Sequence, residues 1–173
     1  QKLPEFNHLD INTIKEKYNV DRPYFFVPNQ FWKHKNHITV LKSIEQARKK
    51  YKDLLVVFTG NENDHRNLLH IETLRNYILE NKLETNLRFL GFIDRLEQLT
   101  LMNNSIAIIQ PSLFEGWSTV VEDAKALNKH IILSDIPIHR EQINLNCTFF
   151  ESCNFAELSE KLIEFTNTKN HDI

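Results

Sequence analysis

The sequence predicts an α/β domain built on an open parallel sheet of about six strands, with helices on both faces. Short apolar runs alternate along the chain with segments in which apolar residues recur every three or four positions. The runs are continuous rather than alternating, which is typical of strands that are covered on both faces. Because crossovers between parallel strands are right-handed, few strand orders remain. The expected order is 3-2-1-4-5-6, with a crevice at the carboxyl ends of strands one and four.

In the first half of the chain, the pattern predicts a helix over 11–19, strand one over 24–27, a helix over 35–52, strand two over 54–59 and a helix over 67–81. Asp10 is a suitable N-cap for the first helix, and residues 1–9 ahead of it have no periodicity, as in a tail or the remnant of an interdomain linker. The apolar run of strand one ends at Pro28. The run LLVVFT of strand two ends at Gly60.

In the second half, the pattern predicts strand three over 87–90, a helix over 94–104, strand four over 106–110, a helix over 119–127, strand five over 130–134, a short strand six over 148–150 and a last helix beginning near residue 155. Asp94 is a plausible cap for the helix that follows it. The last helix is indicated by an apolar stripe of Phe155, Leu158, Leu162 and Phe165. No internal repeat or second linker is visible, so residues 10–173 are expected to form a single domain.

Composition excludes several classes of protein. The 173 residues carry a formal net charge of −2, with 41% hydrophobic and 25% charged residues, as in an ordinary water-soluble domain. No run approaches the roughly 20 apolar residues of a membrane span, and no signal-peptide pattern opens the chain. Cys147 and Cys153 lack CxxC spacing, so no metal site or disulfide framework is expected, and a reducing, cytoplasmic location is favoured. The basic residues form one block at a helix end without a nucleic-acid motif, so no nucleic-acid partner is expected.

The glycine content limits the kind of nucleotide site that is possible. Average usage of about 7% would give roughly 12 glycines in a chain of this length. The chain has three, Gly60, Gly91 and Gly116, so it contains neither the dinucleotide motif GxGxxG nor the Walker phosphate loop. Each glycine follows a predicted strand at its carboxyl end, which is where open α/β sheets bind ligands. Turns also require glycine for purely structural reasons, and both interpretations stay open.

A polar turn after strand four contains the densest group of candidate site residues, in the segment PSLFEGWSTVVE (111–122). The helix that follows offers unpaired backbone N–H groups and the positive end of its dipole, which attract anions. Glu115 and Glu122 flank this turn, and carboxylates accept hydrogen bonds from sugar hydroxyls. Glu122 has a second interpretation, because Thr119-x-x-Glu122 matches a capping box in which the glutamate serves only the helix start.

The loop after strand one, PNQFWKHKNH (28–37), is the second candidate. Lys33 and Lys35 lie near a helix start, where the dipole disfavours cations. An anion bound between these lysines and the helix amides would resolve the conflict; the alternative is two solvated loop lysines. Because strands one and four are expected to be neighbours, the two loops should face each other. Together they describe a site for a nucleoside-diphosphate sugar.

At these residues the chain resembles the C-terminal, donor-binding domain of retaining GT-B glycosyltransferases of family 4, of the group 1 type. The resemblance covers residues 24–165, and PSLFEGWSTVVEDA is its most specific segment. It implies a Rossmann-like fold that forms one half of a GT-B enzyme. The matching segments, in chain order, are PYFFVPNQFWKHKNH, LLVVFTGNENDHR, NLRFLGFID, PSLFEGWSTVVEDAKAL and SDIPIHREQ.

The resemblance also assigns roles to residues. It implies that Lys35 neutralises the leaving diphosphate and that Glu115 contacts the donor-sugar hydroxyls, as the catalytic pair. It implies that Glu122 holds the ribose hydroxyls. The full set of expected donor-binding residues is Asn29, Gln30, Lys33, Gly60, Phe92, Ile93, Gly116, Trp117, Ser118, Thr119, Val120 and Glu122.

Two departures from the family pattern bear on these roles. The common family motif has seven residues between its glutamates, whereas here residues 116–121 make six, and one residue rotates a helical side chain by about 100°. Either the loop is rebuilt or Glu122 is displaced. The family also places an arginine in the diphosphate site, where this chain has Asn29 and Gln30. The second positive contact is then missing or comes from Lys33.

The function implied is the transfer of a sugar from a UDP- or GDP-sugar to a glycan or lipid-linked acceptor, in the synthesis of bacterial lipopolysaccharide or capsule. The resemblance implies that no metal or other cofactor is needed, since lysine and helix amides replace the cation. The N-terminal acceptor domain is expected to be absent from this chain, so the fragment alone should transfer nothing. Peripheral association of the full enzyme with the inner face of the membrane is a further expectation.

Two alternatives remain. The chain could be a non-catalytic nucleotide- or sugar-binding module, which the two departures favour. It could also belong to a nucleotide-sugar epimerase of GT-B architecture, which would need a further acid or base near the sugar. His139 is the candidate for that role, although it is also expected in a surface loop.

Overall fold

The computed structural model describes residues 9–62 and 68–171. The strands are β1 (Phe25–Pro28), β2 (Val56–Thr59), β3 (Leu87–Phe89), β4 (Ile108–Gln110), β5 (Ile131–Ser134) and β6 (Cys147–Phe150). The helices are α1 (Ile11–Lys17), α2 (His37–Ala47), α3 (Leu68–Glu80), α4 (Arg95–Asn104), α5 (Thr119–Ala126), α6 (Pro137–Gln142) and α7 (Phe155–His171). Short 3₁₀ turns cover Lys33–Lys35 and Glu84–Asn86. The expected tail lies outside the described residues, except for Leu9, as does Asn67, the first residue of the predicted third helix.

The six strands form one parallel sheet in the order β3-β2-β1-β4-β5-β6, so the predicted fold class and strand order are confirmed. Strand β1 lies at the centre and pairs with β2 through Phe25 and Val56 and with β4 through Phe26 and Ile108. Strands β2 and β3 are added on one side of β1, and strands β4, β5 and β6 are added on its other side. Their carboxyl ends therefore open into a common crevice, as in other doubly wound sheets.

Both faces of the sheet are buried. Successive residues of a strand point to opposite faces: Phe25 packs in a cluster with side chains of α2, α3 and α7, and Phe26 in a second cluster with side chains of α1, α4 and α5. Both rings are fully buried, and full burial of such a side chain contributes about 1.5–3 kcal/mol. These two cores explain why the strand sequences are continuously apolar.

Gly60 holds the ends of β1 and β2 close together. Its φ is +134°, and a Cβ built on it would lie 2.2 Å from the carbonyl oxygen of Asn29. Its N–H donates to the carbonyl oxygen of Gly91 at 2.8 Å. A glycine is therefore required here, and it brings the loops after β1, β2 and β3 to one place.

The structure corrects three local predictions. Helix α2 begins at His37 rather than at Lys35, because Asn36 takes a φ of +59° and separates the helix from the preceding 3₁₀ turn. The same helix ends at Ala47, five residues before its predicted end at Lys52. The short helix α6 was not predicted; it begins with a proline and has six residues, too few to show helical periodicity. Among the described residues, no helix is long and apolar enough to cross a membrane.

Candidate functional site

A cavity of about 330 Å³ lies at the carboxyl edge of the sheet, at the predicted crevice. Four segments line it: the loop after β1, the end of β2, the start of α4 with the turn before it, and the first turns of α5. The lining residues are Pro28, Asn29, Gln30, Trp32, Lys35, Thr59, Gly60, Phe92, Ile93, Arg95, Gln98, Thr119, Val120 and Asp123.

A salt bridge joins the loops after β1 and β4. The Nζ of Lys35 lies 2.6 Å from Oε1 of Glu115, and the two side chains are 13% and 9% exposed. Lys35 is the last residue of the 3₁₀ turn, and two hydrogen bonds join this turn and the Asn36 that follows it to the loop after β4. The N–H of Leu113 donates to the carbonyl oxygen of His34 at 2.8 Å, and Nδ2 of Asn36 donates to that of Pro111 at 3.1 Å. The structure therefore brings together the two residues expected to be catalytic.

Gln110, the last residue of β4, holds the carboxylate of Glu115 in place by a hydrogen bond. Its fully buried side chain donates from Nε2 to Oε1 of Glu115 at 2.7 Å. Its Oε1 accepts a hydrogen bond from Nδ2 of Asn29 at 2.7 Å, and Nε2 also lies 3.2 Å from Oγ of Ser118. One amide thus ties the end of β1, the loop after β4 and the start of α5 together. Sequence reasoning missed Gln110 because it was assigned only to a strand.

The amino end of α5 faces the cavity. Thr119 and Val120 are its first two residues, and both line the cavity. The first four N–H groups of a helix have no partner within the helix, and with the helix dipole they favour an anion at this end. Ser118 is the N-cap, and its own N–H donates to Oε1 of Gln142 at 3.0 Å.

The structure places Asp123, and not Glu122, in the cavity wall. The carboxylate of Glu122 instead lies 3.2 Å from Nζ of Lys125 and accepts a hydrogen bond from Nε2 of Gln142 at 3.3 Å. The capping-box prediction is wrong as well, because the N-cap is Ser118 and Thr119 is already helical. Seven residues, 116–122, separate Glu115 from Asp123. This is the spacing of the family motif, and it ends here on an aspartate, whose side chain is one methylene shorter than that of glutamate.

Arg95 is a second cation in the cavity that the sequence did not indicate. It is the first residue of α4, and its guanidinium Nη2 lies 2.5 Å from Oδ1 of Asp123. The arginine side chain is 49% exposed, whereas that of the aspartate is 10% exposed. A contact between residues 28 positions apart cannot be found from local sequence patterns.

The remaining predicted residues divide into two groups. Asn29, Gln30, Gly60, Phe92 and Ile93 line the cavity as expected. Phe92 is 83% exposed, which leaves its ring available to a ligand, and Gln30 accepts from the N–H of Asn61 at 2.7 Å. The predicted residues outside the lining are Lys33, Glu115, Gly116, Trp117, Ser118 and Glu122; Glu115 adjoins the cavity through Lys35.

Two buried histidines lie behind the site. His139 is fully buried, so its placement in a surface loop is wrong, and its Nδ1 donates to the carbonyl oxygen of Ser134 at 2.8 Å. Burial lowers its pKa and lowers the pKa of His37 to about 3, so both rings are neutral at pH 7. The ring of His37 stacks on Phe31 at 4.2 Å. Within the described residues, no group of three or more His, Cys, Asp or Glu side chains could hold a metal ion.

Comparison with known proteins gives consistent matches. A family model described as "Glycosyl transferases group 1" matches residues 10–172. The O-antigen chain mannosyltransferase RfbU of Salmonella typhimurium is 27% identical over 135 residues, which are 78% of this chain and 35% of that protein.

Solved structures match the fold. A glycosyltransferase from Rickettsia africae has a TM-score of 0.79 and 21% identity, over 94% of this chain and 44% of that one. Anabaena Alr3699/HepE, in complex with UDP and glucose, has a TM-score of 0.81 and 16% identity, over 93% of this chain and 43% of that one. The chain therefore spans less than half the length of these proteins.

Proposed function

The chain belongs to the group 1 glycosyl transferases, and on that premise we propose that it is the donor-binding domain of a retaining glycosyltransferase. The donor is a nucleoside-diphosphate sugar. One observation carries the proposal: Lys35 and the amino end of α5 meet in a single cavity whose walls also hold the carboxylate of Asp123 and adjoin that of Glu115. Positive charge and hydroxyl acceptors are thus placed side by side, as a diphosphate linked to two sugars requires.

The donor extends through this cavity from α4 to the loop after β4. The base lies against Phe92 and Ile93, and the ribose hydroxyls donate to Asp123. The diphosphate lies between the amino end of α5 and Lys35. The transferred sugar lies beside Glu115, whose carboxylate accepts from its hydroxyls.

Catalysis by this half is electrostatic. When the bond between the sugar and the diphosphate breaks, negative charge develops on the leaving oxygen. Lys35, Thr119 and Val120 all line the cavity, so the lysine and the N–H groups at the start of α5 stabilise that charge once the donor is bound. Because these groups supply the positive charge, the proposed reaction needs no metal ion.

The acceptor pocket belongs to a part of the protein outside this chain. The chain spans 35% of RfbU, and closure of an acceptor domain over the cavity would exclude water from the reacting bond. We expect the isolated chain to bind the donor nucleotide and to transfer nothing. The match to an O-antigen mannosyltransferase supports an acceptor of the bacterial surface-polysaccharide class, and we propose a glycan or lipid-linked acceptor. We further propose that the full enzyme works in the cytoplasm, at the inner face of the membrane.

Calorimetric titration of the 173-residue chain with UDP, GDP and ADP at low salt tests this proposal. We expect one nucleotide to bind best, and Lys35→Ala to weaken it about tenfold or more, because a charge-assisted contact is lost. Lys50→Ala is the matched control, since Lys50 is an exposed lysine beyond the carboxyl end of α2. Equal affinity of the Lys35→Ala and Lys50→Ala variants would contradict the proposed diphosphate site.

A pair of variants tests the ribose contact. Asp123→Asn should weaken nucleotide binding, because an amide accepts hydroxyl hydrogen bonds more weakly than a carboxylate. Glu122→Gln, one residue away and outside the cavity, should leave it unchanged. The reverse order of effects would return the ribose contact to Glu122.

A further inference from the structure

We propose that Arg95 is the second positive contact of the donor diphosphate and that it is exchanged from Asp123 to phosphate when the donor binds. This inference rests on the proposed donor-binding function. It assigns to α4 the second cation of the diphosphate site, which the loop after β1 does not provide.

The loop after β1 offers no second cation to the cavity. Asn29 and Gln30 are neutral, and both amides are engaged in hydrogen bonds with other parts of the fold. Lys33 is exposed and does not line the cavity. Of the described lysines and arginines, those in the cavity lining are Lys35 and Arg95.

Each of the two cations of the cavity is paired with a carboxylate. Lys35 is bound to Glu115 at 2.6 Å, and Arg95 is bound to Asp123 at 2.5 Å. A diphosphate brings two or more negative charges, so it binds well only if these cations turn toward it. Each of the paired carboxylates is also the proposed acceptor for a donor hydroxyl, which can replace the cation at the carboxylate.

The position of Arg95 suits such an exchange. A cation in the first turn of a helix is disfavoured by the helix dipole, and this arginine is the first residue of α4. An anion beside it would offset that cost. The guanidinium is half exposed and carries five N–H donors in a planar fork, so it is free to leave Asp123 and donate to phosphate oxygens.

The exchange explains why the pair lies on the cavity wall. Arg95 neutralises a nearly buried carboxylate that would otherwise repel the approaching nucleotide. When the donor binds, its ribose hydroxyls donate to Asp123, and the guanidinium moves to the diphosphate. No covalent bond is made or broken in this step, and the net charge of the side chains is unchanged.

The test is a titration of the 173-residue chain with whichever of UDP, GDP and ADP binds best, at several NaCl concentrations. We expect Arg95→Gln to raise the dissociation constant about tenfold, as loss of a half-exposed charge-assisted contact predicts. Its affinity should also depend less on salt, because one charge–charge contact has been removed. Arg95→Lys should recover part of the affinity and the salt dependence. Arg75→Gln removes an exposed arginine of α3 and should change neither.

A double variant separates contact with phosphate from mere orientation of Asp123. If Arg95 contacts the diphosphate, Arg95→Gln weakens binding further in the Asp123→Asn background. If the arginine serves only to hold the aspartate, it has no effect in that background, and the inference is overturned. Tighter binding by Arg95→Gln alone would overturn it too. Failure of the unchanged chain to bind any of the three nucleotides would instead remove the proposed function, and the inference with it.

Discussion

Replacement of Gln110 by leucine tests whether the amide beneath the site holds both the fold and the catalytic carboxylate. The substitution keeps the approximate size of a fully buried side chain. It removes two hydrogen bonds of 2.7 Å, one from Asn29 and one to Glu115. We therefore expect Gln110→Leu to lower both the stability of the domain and its affinity for the donor sugar.

The expected cost follows from these contacts. Leaving the buried amide of Asn29 without its acceptor costs about 1–3 kcal/mol, and losing a hydrogen bond to a carboxylate costs about 1.5–3 kcal/mol. The apolar side chain of leucine returns up to about 1.5–3 kcal/mol on burial. The net loss in the free energy of unfolding should be about 2 kcal/mol.

Urea unfolding measures the first effect, and competition between a nucleotide-sugar and its nucleoside diphosphate measures the second. The variant should bind the nucleoside diphosphate nearly as well as the unchanged chain, yet lose part of the extra affinity due to the sugar, because Glu115 is less well fixed. Gln98→Leu is the control for stability, since it replaces a half-buried glutamine of α4. An unchanged unfolding midpoint for Gln110→Leu would refute the reasoning.

Two further predictions concern the fold around the site. Gly60→Ala should lower the melting temperature by several degrees, because its Cβ would meet the carbonyl oxygen of Asn29 at 2.2 Å at a φ of +134°; Gly116→Ala, which has open space around it, should not. The stability of the domain should fall as the pH drops below about 6.5, because the unfolded chain then binds a proton at His37 that the folded chain, with a pKa of about 3, excludes. His37→Leu should reduce the slope of the unfolding free energy against pH by up to about 1.4 kcal/mol per unit over that range, and an unchanged slope would contradict the assignment.

The strands could be predicted because each strand carries its own signal, a continuous apolar run that reflects burial on both faces. A strand such as β2 is buried on both faces, so every residue of Val56–Thr59 is apolar or small and the run is visible without its neighbours. Right-handed crossovers then leave few topologies. Helix α6 could not be predicted in this way, because six residues do not complete two turns.

Fewer residues of the cavity could be predicted, because its side chains contact partners that are far away in the sequence. The meeting of Lys35 and Glu115 followed from the strand order, and the structure brings the two together. Asp123 was missed because the motif was matched to a glutamate, although the expected spacing ends on the aspartate. The partner of that aspartate, Arg95, comes from another helix, and no local pattern in the sequence connects them.

The shortage of glycine gives a physical reason for this arrangement. A glycine-rich loop binds phosphate by wrapping backbone N–H groups around it, and this chain has three glycines, of which Gly60 is needed to pack two strand ends together. The site must then add side-chain cations to the N–H groups at the start of α5, and a lysine or arginine in a partly buried cavity requires a counter-charge. Glu115 and Asp123 supply that charge, and because both are also hydroxyl acceptors, the carboxylates that pair with the two cations are those that the donor hydroxyls need.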